Sequence, residues 1–269
     1  MSSHEFPPVP TAPSAPLRVQ TLGRFRLWRD GEEVPSAAWR REKALHLFQF
    51  LVTTRLRAIK LHKEQIIDRL WPTASPAEGD RDFKVALHTI HKILEPQRKA
   101  RADPRFVQRQ DLTYGLNLDT VWIDALAFEE LVIQANKVLL NAPETAQDFY
   151  QKALNLYQGD YLPERWYEDW SSAERERLQV LALGVMTTLA DLVCPHTPLE
   201  SIRLTQHALA LDSLWENAYR IQIEAYLALG NRPLALRTYQ QCQQTLETEL
   251  GLAPLPETQA LYKKIRNKK

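Results

Sequence analysis

Glycine, cysteine and long apolar runs are scarce in this 269-residue chain, and each scarcity excludes a class of protein. The 8 glycines form no GxxxxGKS/T motif, so the sequence has no phosphate loop of the ATPase type. The two cysteines, Cys194 and Cys242, belong to no CxxC motif, which excludes a disulfide framework and indicates reduced thiols in the cytosol. No apolar run approaches the roughly 18 residues that a membrane-spanning helix needs.

The N-terminus lacks a basic start followed by an apolar stretch, so it is not predicted to be a secretory signal. Residues 1–16 contain five prolines and little to bury, which predicts a disordered tail. Apolar residues alternate over 17–28, with an interruption at Gly23 that is typical of a bulge or tight turn. Asp30-Gly31 is a hairpin signal, so short strands are predicted to open the first domain.

A formal net charge of +1 conceals a strong charge asymmetry. Residues 17–110 contain 20 lysines and arginines against 11 aspartates and glutamates, a net charge of +9. Residues 111–269 contain 14 against 21, a net charge of −7. A basic half beside an acidic half indicates two domains with different partners, and the basic half is the candidate for nucleic acid. Chance placement of surface charge is the alternative.

Three helices and a hairpin are predicted in the basic half. Apolar residues at helical spacing predict helices over 39–54, 62–71 and 80–94. Short apolar segments near 106–107 and 114–118, with a tip at 109–111, predict a hairpin. Three helices followed by a basic hairpin form the winged-helix pattern, a relative of helix-turn-helix. One stripe of the third helix is predicted to be core: Phe83, Leu87, Ile90 and Leu94.

From Asp124 onward the acidic half is predicted to be helical and repetitive. Residues 216–250 fit a tetratricopeptide unit, with Gly230 in the turn and Ala235 on the second helix. Ala208 and Cys242 occupy the same slot 34 residues apart, which is the tetratricopeptide period. Small side chains at such slots let helices approach closely, and these helices must stack to bury their apolar faces. Ala146, Tyr150 and Ala153 repeat the spacing earlier in the chain.

In their order and spacing, several motifs resemble the SARP-type activators, which are the antibiotic regulatory proteins of actinomycetes and their relatives. In the first half these motifs are LRVQTLGRFRLWRDGEEV, REKAL after Trp39, Leu-Trp-Pro at 70–72, FKVALHTIHKILEP and Tyr-Gly-Leu at 114–116. In the second half they are Asp124-Ala125 with Phe128, ALNLYQGDYLPE, Trp170 with ERERL at 174–178, and AYLALGNRPLALRTYQQCQQTLETELGLAPLPETQALY. The last segment is the most specific.

The resemblance implies an OmpR-type winged helix that places its third helix in the DNA major groove. It also implies a bacterial transcriptional activator domain that serves self-association or contact with RNA polymerase. The expected fold is mainly α with small β elements, divided into a 1–16 tail, a 17–118 winged-helix domain and a 119–269 tetratricopeptide-like domain. The expected function is sequence-specific binding of double-stranded promoter DNA by a cytoplasmic, nucleoid-associated activator.

Ten side chains are candidates for DNA contact, with a solvated surface as the alternative for each. Residues opposite the apolar stripe of the third helix suit phosphates and base edges. Basic residues at the start of the first helix oppose the helix dipole, so helix stability does not explain them. Basic residues on the wing suit the backbone or the minor groove. The ten candidates are Arg40, Arg41, Lys43, Arg81, Lys84, His88, His91, Lys92, Arg105 and Arg109.

The predicted recognition helix departs from the resemblance at one place. Such regulators usually carry Arg-Leu-Arg or similar where this chain has Thr89-Ile90-His91. Histidine is largely neutral at pH 7, so this helix is expected to hold phosphate less firmly. The departure motivates a second hypothesis, which is a protein-interaction adaptor that retains the fold with weak or lost DNA binding.

Other clusters do not predict catalysis or metal binding. A zinc site at His88 and His91 would need further ligands, and the sequence places none. The neighbours Cys194 and His196 do not by themselves make a nucleophile and base, so no enzyme activity and no cofactor are predicted. Aromatic residues near Gly159-Asp160 are expected to pack between repeat helices, with an interface as the alternative. They are Tyr157, Tyr161, Trp166 and Trp170.

Overall fold

The computed structural model describes residues 15–56, 60–99, 101–117 and 119–267. Of the predicted tail, residues 1–14 lie outside the described residues, as does Leu118 at the end of the predicted hairpin. The fold is mainly α with small β elements, as predicted. The described residues form two compact units. The first contains residues up to Glu130 together with Asn155–Leu178, and the second contains Leu131–Leu154 and the residues from Gln179 onward.

The element bounds are as follows. The strands are β1 (Leu17–Gln20), β2 (Arg26–Arg29), β3 (Glu32–Glu33), β4 (Leu61–His62), β5 (Val107–Gln110), β6 (Thr113–Leu116) and β7 (Val121–Ile123). The helices are α1 (Glu42–Leu56), α2 (Lys63–Leu70), α3 (Pro76–Leu94), α4 (Asp124–Val138), α5 (Pro143–Leu156), α6 (Asp169–Val193), α7 (Pro198–Leu211), α8 (Glu216–Ala228), α9 (Arg232–Leu250) and α10 (Pro256–Asn267).

The predicted opening strands form a four-stranded sheet in the order β3-β2-β1-β7. β1 is antiparallel to β2 and parallel to β7. Both predicted interruptions are confirmed. Gly23 has a φ of +89° between β1 and β2, and Asp30-Gly31 turns the chain between β2 and β3 with φ values of 50° and 89°. One face of this sheet is core, since Leu17, Val19 and Leu27 are almost fully buried.

The three predicted helices of the basic half exist, but none begins at the predicted residue, although α2 begins at Lys63, only one residue after His62. α1 begins at Glu42, after a short 3-10 turn at Ser36–Ala38, and not at Trp39. α3 begins at Pro76, one turn before Asp80. The side chain of Glu78 accepts hydrogen bonds from the backbone N (3.0 Å) and Oγ (2.6 Å) of Ser75, which is a capping box with proline in the first turn.

The hairpin that follows α3 is the predicted wing. β5 and β6 pair antiparallel around a tip at Asp111-Leu112, where Asp111 has a φ of 55°. β4 pairs with β6 on the other side, giving a sheet in the order β4-β6-β5. α3 is fixed against this sheet because Phe83 packs edge-on against Tyr114 of β6, with ring centroids 4.9 Å apart. The wing and the third helix therefore form one packed structure.

The second unit contains the predicted stacked helices. α8 packs against both α7 and α9. The small residues Ala208, Ala235 and Cys242 are all 0% exposed, as their slots in the repeat predict. Cys242 lies in a cluster with Tyr219, and Ala235 lies in a cluster that also contains Ile265 of α10.

Enlarging Ala235 should destabilise this helix stack. Ala235→Leu adds three carbons to a fully buried site beside Ile223 and Tyr239, so we expect the free energy of unfolding to fall by about 1–3 kcal/mol. Denaturant unfolding of the full chain measures this change. Ala210→Leu, on the exposed side of α7, is the matched control and should change stability by less than about 0.5 kcal/mol. An unchanged stability for Ala235→Leu would show that the repeat register is wrong.

The segment Asn155–Leu178, here called the docking segment, packs onto the winged-helix elements. Tyr161 is fully buried, and its hydroxyl lies 2.7 Å from Oγ1 of Thr53 on α1. Trp170 packs edge-on against Phe50 of α1 at 5.5 Å. The expectation that these aromatic residues pack between repeat helices is therefore wrong for Tyr161 and Trp170, which pack against α1. Trp166 is 52% exposed.

Two buried charged side chains hold the docking segment and the start of α4 in place. Arg175 donates to the backbone carbonyls of Tyr161 (3.1 Å), Arg165 (2.9 Å) and Trp166 (3.2 Å). Asp124 is 2% exposed and accepts from the backbone N (2.8 Å) and Oγ1 (2.6 Å) of Thr21 in the β1–β2 loop. Burial raises the pKa of Asp124 to about 6, although these hydrogen bonds favour its ionised form.

The domain boundary that the sequence analysis places after residue 118 remains a prediction.

Candidate nucleic-acid interface

α3 presents one exposed face, whose residues recur at helical spacing. We call it the α3 face, and it consists of Arg81, Lys84, Val85, His88 and Lys92. The opposite side of the helix is buried through Phe83, Ala86, Ile90 and Leu94. Leu87, predicted as core, is only partly buried, and Ala86 takes the deeper position. Four of the five predicted contact residues on α3 thus lie on one surface.

His91 does not belong to this surface, and the prediction that it faces outward is wrong. Its side chain is 12% exposed, and Nδ1 lies 4.0 Å from Oε1 of Glu95. Burial lowers the pKa of His91 to about 4, assisted by the charges of Arg98 and His88. His91 lies roughly 80° from the centre of the α3 face on a helical projection, where neighbouring residues decide whether it is covered. It therefore adds no positive charge between pH 6 and 7.5.

The buried His91 should make stability depend on pH. An unfolded chain protonates this histidine near pH 6.5, whereas the folded chain does so near pH 4, so the contribution of His91 to folding stability is fully present above about pH 6.5 and falls as pH drops. Between pH 8 and pH 5 the loss from this group is about 2 kcal/mol. In urea unfolding, the unmodified chain should lose about 2 kcal/mol relative to His91→Gln between pH 8 and pH 5, because Asp124 and the other titrating groups contribute equally to both chains. Parallel pH curves would contradict the buried position.

The chain also departs from the SARP pattern at Thr89, and this side chain makes a hydrogen bond within the helix. Its hydroxyl donates to the carbonyl of Val85 at 2.8 Å. A Thr89→Arg/His91→Arg double variant would therefore restore one outward cation and bury the other. Neither position offers a positive charge to a phosphate in this chain.

Two carboxylates pair with several of the predicted cations. Asp80 accepts from Lys63 of α2 and from Lys84, both at 2.6 Å. Asp82 pairs with Lys43 of α1 and lies 3.5 Å from Nε of Arg81. Hydrogen bonds from the lysines hold the pKa of both carboxyls below its ordinary value. The structure thus joins Lys43, Arg81 and Lys84 through two acids on α3.

The remaining predicted cations lie in three places. Arg40 and Arg41 are exposed but precede α1, so the expectation that they sit on its first turns is wrong; the carbonyl of Arg41 accepts from Ala44 at 2.9 Å. Arg109 is exposed on β5 beside the hairpin tip. Arg105 precedes β5, at the end of the hairpin away from the tip, where its guanidinium lies over the ring of Phe106 at 5.3 Å. Arg105 is therefore not on the wing as predicted.

Among the described residues, Arg40, Arg41 and Lys92 make no ion pair, so their charges face solvent. The sequence analysis did not include two residues of the candidate surface, Val85 and Lys63. Val85 is 37% exposed in the middle of the α3 face, where an apolar side chain suits the methyl group of thymine. The sequence could have indicated Val85, because it follows Arg81 by four positions and precedes His88 by three, so it shares their helix face. Lys63 joins the surface only through its contact with Asp80, which the sequence does not show.

The described residues give no alternative chemistry. In that part of the chain, no group of three histidine, cysteine, aspartate or glutamate side chains is placed to hold a metal ion. Cys194 is buried, and burial raises the pKa of its thiol, which opposes a role as nucleophile. No helix among the same residues is long and apolar enough to cross a membrane.

Comparison with known proteins gives a family and a fold. The model of the bacterial transcriptional activator domain family matches residues 123–266, which is more than half of the chain. The regulatory protein AfsR of Streptomyces coelicolor is 24% identical over 254 residues, covering 94% of this chain and 24% of AfsR. The chain thus spans about a quarter of the length of that relative.

Among solved structures, EmbR of Mycobacterium tuberculosis in complex with a low affinity phosphopeptide superimposes with a TM-score of 0.80 at 20% identity. The match covers 95% of this chain and 66% of the EmbR chain. This likeness confirms the predicted fold, a winged helix followed by a helical domain.

Proposed function

The chain belongs to the bacterial transcriptional activator domain family of transcription regulators, and from this premise we propose that it binds double-stranded DNA through the α3 face and activates transcription. The observation that carries the proposal is the α3 face itself. It places Arg81, Lys84 and Lys92 around His88 and Val85 on the third helix of a winged helix, the helix that enters the major groove in such folds.

Each side chain has a role that its chemistry fits. Lys84, Lys92 and Arg81 neutralise phosphates, which supply most of the sequence-independent affinity. His88 donates to a base edge, and Val85 contacts a thymine methyl group. Arg40 and Arg41 just before α1, Lys43 in its first turn and Arg109 on the wing add phosphate contacts. His91 and Arg105 are left out because one is buried and the other lies away from the hairpin tip.

The second unit, here called the helical unit, is proposed to pair two copies of the chain or to contact RNA polymerase. It presents several exposed apolar side chains, including Leu140 in the turn between α4 and α5 at 93% exposure and Leu199 on α7 at 71%. Exposed apolar surface of this kind is typical of protein contacts. This role places the chain in the cytoplasm on the nucleoid.

An adaptor with weak DNA binding is the second candidate. It is favoured by the ion pairs within α3: Asp80 pairs with Lys84 and Asp82 with Arg81, so two positive charges of the α3 face are already neutralised. Such a protein would keep the fold and use only its helical unit.

A mobility-shift titration of the full chain separates the two candidates. The duplexes are a random pool and a sequence selected from that pool by the chain itself. If about five of the seven proposed cations each neutralise one phosphate, the logarithm of affinity should fall against the logarithm of salt concentration with a slope of about −4 to −5. The selected duplex should bind at least about 1,000-fold more tightly. Absence of any shift at low salt would favour the adaptor.

A further inference from the structure

Two carboxylates border the α3 face, one on each side. On a helical projection with Arg81 at the centre of the face, Asp80 and Asp82 lie about 100° to either side. Both are partly exposed, at 31% and 20% of their side-chain surface. A surface that is to bind a polyanion therefore carries negative charge along both edges.

Each carboxylate holds one cation from α3 and one from another helix. Asp80 joins Lys84 of α3 to Lys63 of α2, with both distances at 2.6 Å. Asp82 joins Arg81 of α3 to Lys43 of α1. Four cations at the interface are thus occupied in the absence of DNA.

A purely structural role would be to tie α3 to α1 and α2. Helix capping does not explain the acids, because α3 begins at Pro76 and both residues lie beyond the first turn, where the helix dipole has little effect. Ion pairs between partly exposed side chains contribute little to stability. Joining α3 to α1 and α2 therefore does not explain why two acids lie next to a DNA-binding face.

We propose that Asp80 and Asp82 determine sequence specificity, by keeping the four cations paired until a DNA sequence supplies donors for the carboxylates. A phosphate that takes Lys84 or Arg81 leaves the carboxylate with one cation instead of two beside the DNA backbone, and the like charges of carboxylate and phosphate repel. Amino groups of cytosine or adenine in the major groove can donate to that carboxylate and relieve the repulsion. A random duplex lacks the donor at the required place, so it is rejected. This inference rests on the proposed DNA binding.

The test compares Asp80→Asn and Asp82→Asn with the unmodified full chain on the random pool and the selected duplex. Each variant frees two cations, so affinity for random duplexes should rise about 5- to 10-fold at 0.1 M salt for each freed cation that then contacts one phosphate, and the salt slope should steepen by about 0.9 for each. Affinity for the selected duplex should rise less or fall. The ratio of the two affinities should therefore drop about 10-fold or more.

Asp68→Asn is the matched control, because it changes the net charge equally on an exposed residue of α2 that is in no ion pair among the described residues. A second control is Asp80→Asn in a Lys84→Gln background. There the substitution frees only Lys63, so the gain in affinity for random duplexes should be smaller. Thermal melting of each variant confirms that the chain is folded, and the two aspartates test the idea through different helix contacts.

Equal gains for Asp68→Asn and Asp80→Asn would overturn the proposal, because only net charge would then matter. Unchanged or weaker binding of folded variants to random duplexes would also overturn it and leave the tie between helices as the role. Failure of the unmodified chain to bind any duplex is a different result. It would reject the proposed DNA binding, and this inference with it.

Discussion

A full-length chain in which Arg81, Lys84 and Lys92 are all changed to glutamine should bind the selected duplex about 100- to 500-fold more weakly than the unmodified chain at 0.1 M salt. Each cation that neutralises one phosphate contributes about 0.9 to the salt slope, so the slope should be shallower by about 2.7. Between 1 M and 0.1 M salt, that difference corresponds to about 500-fold. The lower limit of 100-fold takes into account that Arg81 and Lys84 must give up their ion pairs with Asp82 and Asp80 when they bind DNA.

The control for this prediction is a triple variant with the same residue types in the helical unit. Lys137, Lys152 and Arg237 are exposed there, and their change to glutamine lowers the net charge equally. We expect this control to keep the salt slope of the unmodified chain. If both triple variants lose the same affinity, the interaction is diffuse attraction and α3 has no special role.

Asp124→Ala should lower the free energy of unfolding by about 3–5 kcal/mol. The carboxylate is fully buried and accepts hydrogen bonds from Thr21, Leu22 and Ala125. Each buried donor that is left without an acceptor costs about 1–3 kcal/mol. The variant should also loosen the contact between the β1–β2 loop and the start of α4, since Asp124 makes it. Urea unfolding at pH 7.5 measures the loss.

Asp148→Ala is the control for this change, because Asp148 is an exposed aspartate on α5 and should alter stability by no more than about 0.5 kcal/mol. A loss below about 1 kcal/mol for Asp124→Ala would contradict the described contacts. It would mean that the β1–β2 loop satisfies its donors in another way.

Local patterns in the sequence predicted the elements, because these depend on neighbours within a few residues. The apolar stripe of α3 at helical spacing predicted a helix with Lys84, His88 and Lys92 outward, which the structure confirms. The start of α3 at Pro76 was also readable, since Ser75-Pro76-Ala77-Glu78 is a capping-box sequence. Spacing failed at His91, because a residue at the edge of a helix face is covered or exposed by what packs beside it.

Long-range contacts were beyond the sequence. Tyr161 meets Thr53 across 108 positions, and Asp124 meets Thr21 across 103. No periodicity relates residues so far apart, so the sequence predicts the docking segment only as part of the helical repeat half. The family motifs marked Asp124, the Gly159–Glu164 stretch and Arg175 as significant without showing that they hold a loop of the winged helix. The pairing of Lys63 with Asp80 was hidden for the same reason.

Photo-cross-linking from the centre of the α3 face tests the central claim most directly. A cysteine introduced by Val85→Cys and labelled with an azidophenacyl group should cross-link to bound duplex DNA. The native thiols should label slowly, because Cys194 and Cys242 are buried and burial raises the pKa of both thiols, that of Cys242 to about 12. Leu199→Cys, at an exposed position on α7, should give no cross-link. A labelled Val85→Cys chain that still shifts DNA but does not cross-link, or equal yields from the two positions, would contradict DNA binding through α3.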